Sequence, residues 1–289
     1  MNILIPNTTH GLSSALTCEA SSRHDIDVLV KSDLAETLAY LNAHAVDAII
    51  IPPLPSTDKA SLVAVEEHIR LVETLLASCQ RQDMILLWCI SDQVFDQDHE
   101  ERWVENDQPE PSAAGLQKLV ALDRHITEAW AHHVILRIGP LFGHEGEGLW
   151  LPGMLAQWTQ GQTTGAEDNL FVGPALVDHL ARAITGILLQ LDNGTKGWGR
   201  FHFSGSEPVT LYEFASIAQA QLTEVLVQRG LAHQVSQGAV EARPHVGGTI
   251  RRILDCRKIL DIYGVHQHRW REALQREVEI WVDQHYGAS

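Results

Sequence analysis

Through the first half of the chain, short apolar or β-branched runs alternate with longer amphipathic stretches, and this alternation restricts the fold more than any other feature. The runs fall at 2–6, 26–30, 46–51, 84–89 and 133–138. The stretches at 12–22, 33–44, 58–81 and 112–131 predict helices between them. A strand that returns after a helix runs parallel to its predecessor. Ile49-Ile50-Ile51 and Met84-Ile85-Leu86-Leu87-Trp88 are apolar without alternation, as strands covered on both faces require. The predicted fold is α/β, a doubly wound parallel sheet.

After Gly139-Pro140-Leu141-Phe142-Gly143 the rhythm changes to Gly-rich loops and helices, with brief strand signals such as Arg200-Phe201-His202-Phe203-Ser204. This divides the chain into a domain over 1–145 and a smaller C-terminal lobe over 146–289, some segments of which return to the first domain. Pro174 is expected near the start of a helix reaching about Leu191, where its missing N–H costs nothing. Thr210-Leu211-Tyr212-Glu213 reads as a capping box opening a helix to about Arg229, with Gly230 as its left-handed stop. Trp270 to His285 has helical periodicity.

A chain of 289 residues can bury a sizeable core without disulfides or metals. No segment approaches the roughly 20 apolar residues of a membrane span. Asn2-Ile3-Leu4-Ile5 opens the chain directly in a strand, so a soluble, cytoplasmic protein with no membrane partner is expected. Cys18, Cys79, Cys89 and Cys256 are dispersed and form no C-x-x-C pair, which makes them core residues. The 21 basic and 37 acidic side chains give a net charge of −16, which repels a phosphate backbone and argues against a nucleic-acid partner. The one basic cluster, Arg251-Arg252 with Arg257-Lys258, is expected to be a solvated face. The 16 histidines suggest a metal, but His132-His133 and His266-x-His268 lack carboxylates or cysteines at ligand spacing. No metal site is expected, and the histidines are assigned to surfaces or interfaces.

Several landmarks occur in a fixed order: Met1-Asn2-Ile3-Leu4-Ile5, Ser91-Asp92-Gln93-Val94-Phe95-Asp96, Arg137-Ile138-Gly139-Pro140-Leu141-Phe142-Gly143, His179-Leu180-Ala181-Arg182-Ala183-Ile184, Phe201-His202-Phe203-Ser204-Gly205, Tyr212-Glu213-Phe214-Ala215, Arg243-Pro244 and Leu254-Asp255-Cys256-Arg257-Lys258. In this order they resemble the extended short-chain dehydrogenases, and within them the dTDP-4-dehydrorhamnose reductases. The resemblance spans nearly the whole chain and implies a Rossmann-like sheet with a substrate-binding C-terminal lobe. It also implies a Gly-x-x-Gly-x-x-Gly turn after the first strand, where side chains would collide with a dinucleotide pyrophosphate.

Here those three positions are Asn7, His10 and Ser13, with Gly11 one place out of register. Thr8, Thr9, Ser13 and the helix N-terminus could still hold a small anion. The family's Asn-Ala-Ala segment corresponds to Ile51-Pro52-Pro53, and the asparagine on the next helix to His68. Of the family's Ser/Thr, Tyr and Lys, the hydroxyl is retained as Ser91 and the cation as Lys118, but the phenol position is Ala114. His125, seven residues past Lys118, is about 10 Å along the helix and a poor substitute.

Together these departures predict a noncatalytic homologue that needs no cofactor and binds a sugar-nucleotide-like small molecule in the interlobe cleft or regulates a protein partner. Ser91 would then cap a turn and Lys118 would be a solvated side chain. The competing expectation is an NAD(P)H-dependent reductase or epimerase of a nucleotide-activated keto sugar. The resemblance further implies a homodimer through the two long helices after the third and fourth strands, where Leu62, Val65, Ile69, Val72 and Leu76 form an apolar stripe that would equally serve the sheet.

Overall fold

The structure, a computed structural model, describes residues 1–6, 9–55 and 61–287. The first half runs β1 (Asn2–Ile5), α1 (Gly11–Ser21), β2 (Asp27–Val30), α2 (Leu34–Ala43), β3 (Ala48–Ile51), α3 (Leu62–Gln82), β4 (Ile85–Ser91), α4 (Ala114–Ala129) and β5 (His133–Ile138). The second half runs β6 (Leu141–Phe142), α5 (Trp150–Thr159), β7 (Thr164–Glu167), β8 (Leu170–Val172), β9 (Ala175–Leu176), α6 (Val177–Asp192), β10 (Gly199–Phe203) and β11 (Val209–Thr210). It closes with α7 (Leu211–Gln228), β12 (Val240–Arg243), β13 (Ile250–Arg252), α8 (Arg257–Tyr263) and α9 (Arg271–Tyr286).

Six strands form one parallel sheet in the order β10-β5-β4-β3-β1-β2. Every residue of β3 and β5 is buried, because helices cover both faces. Strand order reverses beside β1, with β2 on one side and β3 on the other, so the crevice above the C-terminal ends of β1 and β3 is the topological switch point. The large core fills both faces of this sheet. A second cluster joins Phe142, Trp158, Phe214, Trp270 and Trp281 in the C-terminal half, with Phe214 ring centroids 5.7 Å from Phe142 and 5.2 Å from Trp270. Strand β10 and helices α6 and α8 contribute to the first core although they come from the second half of the chain.

One carboxylate ties the outer part of the sheet together. Asp123 of α4 accepts from Arg137 of β5 through Nε at 3.0 Å and Nη2 at 2.8 Å, and also pairs with Arg200 of β10. Arg137 donates further to the carbonyls of Glu105 and Asp107, which makes a buried guanidinium tolerable in a strand.

Several local expectations change. Pro174 precedes α6 by three residues, because Ala175 N donates to Pro140 O and extends the chain as β9 against β6 before the helix starts. Thr210 does cap α7 by accepting from Glu213 N at 3.1 Å, but the Glu213 carboxylate pairs with Arg271 and leaves the box half made. Gly230 has the left-handed φ of 71° expected of it. Cys79, Cys89 and Cys256 are buried, whereas Cys18 is exposed. His10, His133 and His202 are buried, and burial is tolerable because each ring has a backbone partner, Leu12 N, Trp130 O and Trp103 O respectively. The basic cluster is a solvated face only in part: Arg257 is exposed, though paired with Asp255, and Arg251 is half-exposed and pairs with Asp98, whereas Arg252 is buried and the half-buried Lys258 donates to Arg200 O.

Among the described residues, no helix is long and apolar enough to cross a membrane. Also among them, no group of three or more His, Cys, Asp and Glu is arranged to hold a metal.

Candidate functional site

The switch point brings the first loop, the β3 exit and the β4 exit to one edge of the sheet. Asn7 lies outside the described residues. His10 is the N-cap of α1, fully buried, and its Nδ1 accepts from Leu12 N at 3.0 Å. Burial and the nearby His68 push its pKa down to about 4, so the ring is neutral at physiological pH. Ser13 lies one turn further, 1% exposed, with Ser13 N donating to His10 O. Two of the three positions where the family has glycine therefore carry side chains that are folded into the protein.

The segment 144–149 covers this turn. Gly11 N donates to Glu147 O at 3.0 Å, Glu147 N to Thr9 O at 2.9 Å, and Thr9 Oγ1 to Glu147 Oε2 at 2.8 Å. Leu149 packs against Gly11, where an added Cβ would sit 2.7 Å from Leu149 Cγ. Gly146 and Gly148, at φ of 102° and 75°, let the segment lie flat; a Cβ on either would strike Gly11 Cα or the His10 ring. His144 fixes the near end, its backbone N and ring Nδ1 lying 2.9 and 2.6 Å from Glu277 Oε2. That bond raises the His144 pKa.

At the β3 exit, Pro52 and Pro53 are buried. His68 on α3 accepts from Trp88 Nε1 of β4 at 3.2 Å, and burial pushes its pKa down to about 4. Ser91 ends β4; its Oγ accepts from Gln93 N at 3.3 Å and donates to Asp92 Oδ1 at 3.4 Å. Ala114 is exposed at the start of α4. Lys118, one turn on, forms an ion pair with Glu66 of α3. It lines a groove of about 740 Å³ between α3 and α4 that also includes Glu66, Arg70 and His125. Among the described residues no hydrogen bond joins Ser91 to Lys118.

The sequence patterns did not single out 144–149 or its anchor Glu277. The signal available was the close spacing of Gly143, Gly146 and Gly148 directly after the last landmark of the first domain.

The family model described as the RmlD substrate binding domain matches residues 16–282. The chain belongs to this family. The RmlD match begins at Leu16, past the altered turn. No curated protein matches the chain in sequence. Among solved structures, a dTDP-4-dehydrorhamnose reductase from Clostridium acetobutylicum is similar at 16% identity and a TM-score of 0.75, covering 97% of this chain and 99% of that one. A dTDP-4-dehydrorhamnose reductase from Bacillus anthracis in complex with NADP matches at 15% identity and 0.73, covering 96% and 98%. A dTDP-glucose 4,6-dehydratase from the same organism in complex with NAD matches at 14% and 0.76, covering 99% and 97%.

These findings correct two expectations. The departures at Asn7, His10, Ser13 and Ala114 predict a noncatalytic chain without cofactor, yet the RmlD family and its structural neighbours are those of reductases and a dehydratase, two of them holding a nicotinamide dinucleotide. The expectation failed because it weighed one turn above the crevice. That crevice is built by the strand order of the whole sheet, and the sheet is intact. The turn itself, in the arrangement described, does not fit a pyrophosphate: Glu147 O takes the Gly11 amide and the His10 ring fills the space under Gly148.

Proposed function

We propose that this RmlD-family chain is an NAD(P)H-dependent reductase or epimerase of a nucleotide-activated keto sugar. The observation that carries the proposal is the family match over 16–282, which contains both Ser91 at the end of β4 and Lys118 one turn into α4. The ligand lies above the carboxyl ends of the strands, as open α/β sheets favour.

In this proposal the Ser91 hydroxyl, which accepts from Gln93 N, turns its proton from Asp92 to the sugar carbonyl and orients it. Lys118 adds positive charge to the same edge once its pairing with Glu66 opens. Both partners of that pair are about half exposed, so opening it costs little. Ala114 offers no proton, but it is exposed, so water reaches the place from which a phenol would deliver one. Turnover is therefore slow. A second copy of the chain is the partner carried forward, supported by the exposed Leu62 and Val63 beside the α3–α4 groove.

The test is substrate-dependent oxidation of NADPH and NADH across a panel of 4-keto sugar nucleotides. Turnover is expected and should fall by about 10²-fold in Ser91→Ala. An inert wild type across the whole panel would remove the proposal.

A further inference from the structure

In α/β folds of this kind the pyrophosphate of a dinucleotide settles on the free amides that open the first helix. In this chain those amides are already engaged. Gly11 N donates to Glu147 O at 3.0 Å, Leu12 N to His10 Nδ1 at 3.0 Å and Ser13 N to His10 O at 2.8 Å. The first of these bonds comes from outside the turn, from a segment 136 residues further along (147 − 11). The same segment adds Glu147 N to Thr9 O and Thr9 Oγ1 to the Glu147 carboxylate. An oxygen of this chain and a carboxylate thus occupy the end of α1 that attracts phosphate oxygens, where the helix dipole favours negative charge.

We propose that residues 144–149 form an autoinhibitory strap, docked on the α1 N-terminus through Glu147 and packed over the His10 ring at Gly148, and that strap and ring must move together before a nicotinamide dinucleotide can bind. The proposal rests on the dinucleotide-dependent function above. The construction of the segment supports it. Both ends are anchored, His144 to Glu277 and Leu149 against Gly11, while the middle is held by two backbone bonds and one exposed side-chain bond. Gly146 and Gly148 supply the backbone freedom for a hinge, and their missing side chains are what permit docking. The grip is light enough for a ligand bearing two phosphates to displace it, since charge-assisted bonds to phosphate are stronger than the amide bonds they replace.

Gly146→Ala is the direct probe, because its Cβ would collide with Gly11 Cα and lift the strap. Wild type and variant are titrated with NADPH and NADH by calorimetry, and amide hydrogen exchange is followed over 144–149, with circular dichroism as a check on folding. The expected result is faster exchange of the strap in the variant and at least about tenfold tighter dinucleotide binding, as for any ligand relieved of a conformational tax. Glu147→Ala, which introduces no clash, should shift affinity the same way by about threefold, and keeps the question open to test if Gly146→Ala fails to fold. Equal affinity in wild type and variants, with the strap released, overturns the strap and leaves the reductase or epimerase function standing. No binding by any form, with the strap released, overturns both.

Discussion

Ala114 is the residue at which the chemistry of this chain departs furthest from its family resemblance. It is exposed at the start of α4, so a tyrosine there meets no packed neighbour and restores a proton donor one helical turn before Lys118. Ala114→Tyr should raise turnover on a keto sugar nucleotide by about 10²-fold, the usual worth of a positioned general acid, with little change in KM. A rate equal to wild type would show that the proton already arrives by another route. Lys118 illustrates what side-chain spacing alone leaves open. Its position in the helix was legible from Ala114-Gly115-Leu116-Gln117-Lys118, but its pairing with Glu66 was not, because that partner is 52 residues away on another helix. His10 and His68 were likewise legible as substitutions, not as neighbours, one buried and one half-buried, whose rings are kept neutral. Burial depends on what later segments lay over a residue.

Among the elements, the strands and long helices of the first half lie within a few residues of where their apolar runs put them, since a strand buried on both faces has to be written in continuous Ile, Leu and Val. The strap could not be read this way. Its contacts are carried mostly by backbone N–H and C=O groups, which every residue has, and its glycines look like those of any loop. Pro174 failed as a helix marker for a related reason: the Ala175 amide found a strand partner in Pro140 before a helix could form. The best-defined energetic link between elements is the Asp123 carboxylate joining α4, β5 and β10. Asp123→Asn keeps the shape but leaves the Arg137 guanidinium, 2% exposed, without its counter-charge. Loss of about 3–5 kcal/mol is expected, as for other broken buried pairs, visible as a lower urea midpoint with an unchanged slope. An unfolding free energy within about 0.5 kcal/mol of wild type would mean that the carbonyls of Glu105 and Asp107 suffice to hold Arg137.

For the whole molecule, buried imidazoles set the response to acid. Burial, aided by His68, holds His10 at a pKa of about 4, and burial, aided by Arg137, holds His202 at about 3. Unfolded, both titrate near 6.5. Below that pH the unfolded chain takes up protons that the folded chain refuses, so the stability these two groups carry is present above about pH 6.5 and is lost as pH falls toward their folded values. Each contributes a slope of about 1.4 kcal/mol per pH unit in that window. His144 acts in the opposite sense: its raised pKa makes the Glu277 contact strongest below about 6.5 and weaker as pH rises through the folded value. The melting temperature should fall steadily from about pH 6.5 to about pH 4.5, and a flat or rising profile would contradict neutral burial of His10 and His202.

The Asp123 link also bears on how such a protein can change over time. Strand β10, from residues 199–203, pairs with β5 and brings Arg200 to the same carboxylate that holds Arg137. A chimaera joined near residue 145 would draw one border of the sheet from one parent and its counter-charge from the other. Where the parents differ at residue 123 or 200, such a chimaera is expected to leave a charge at that border without its counterpart.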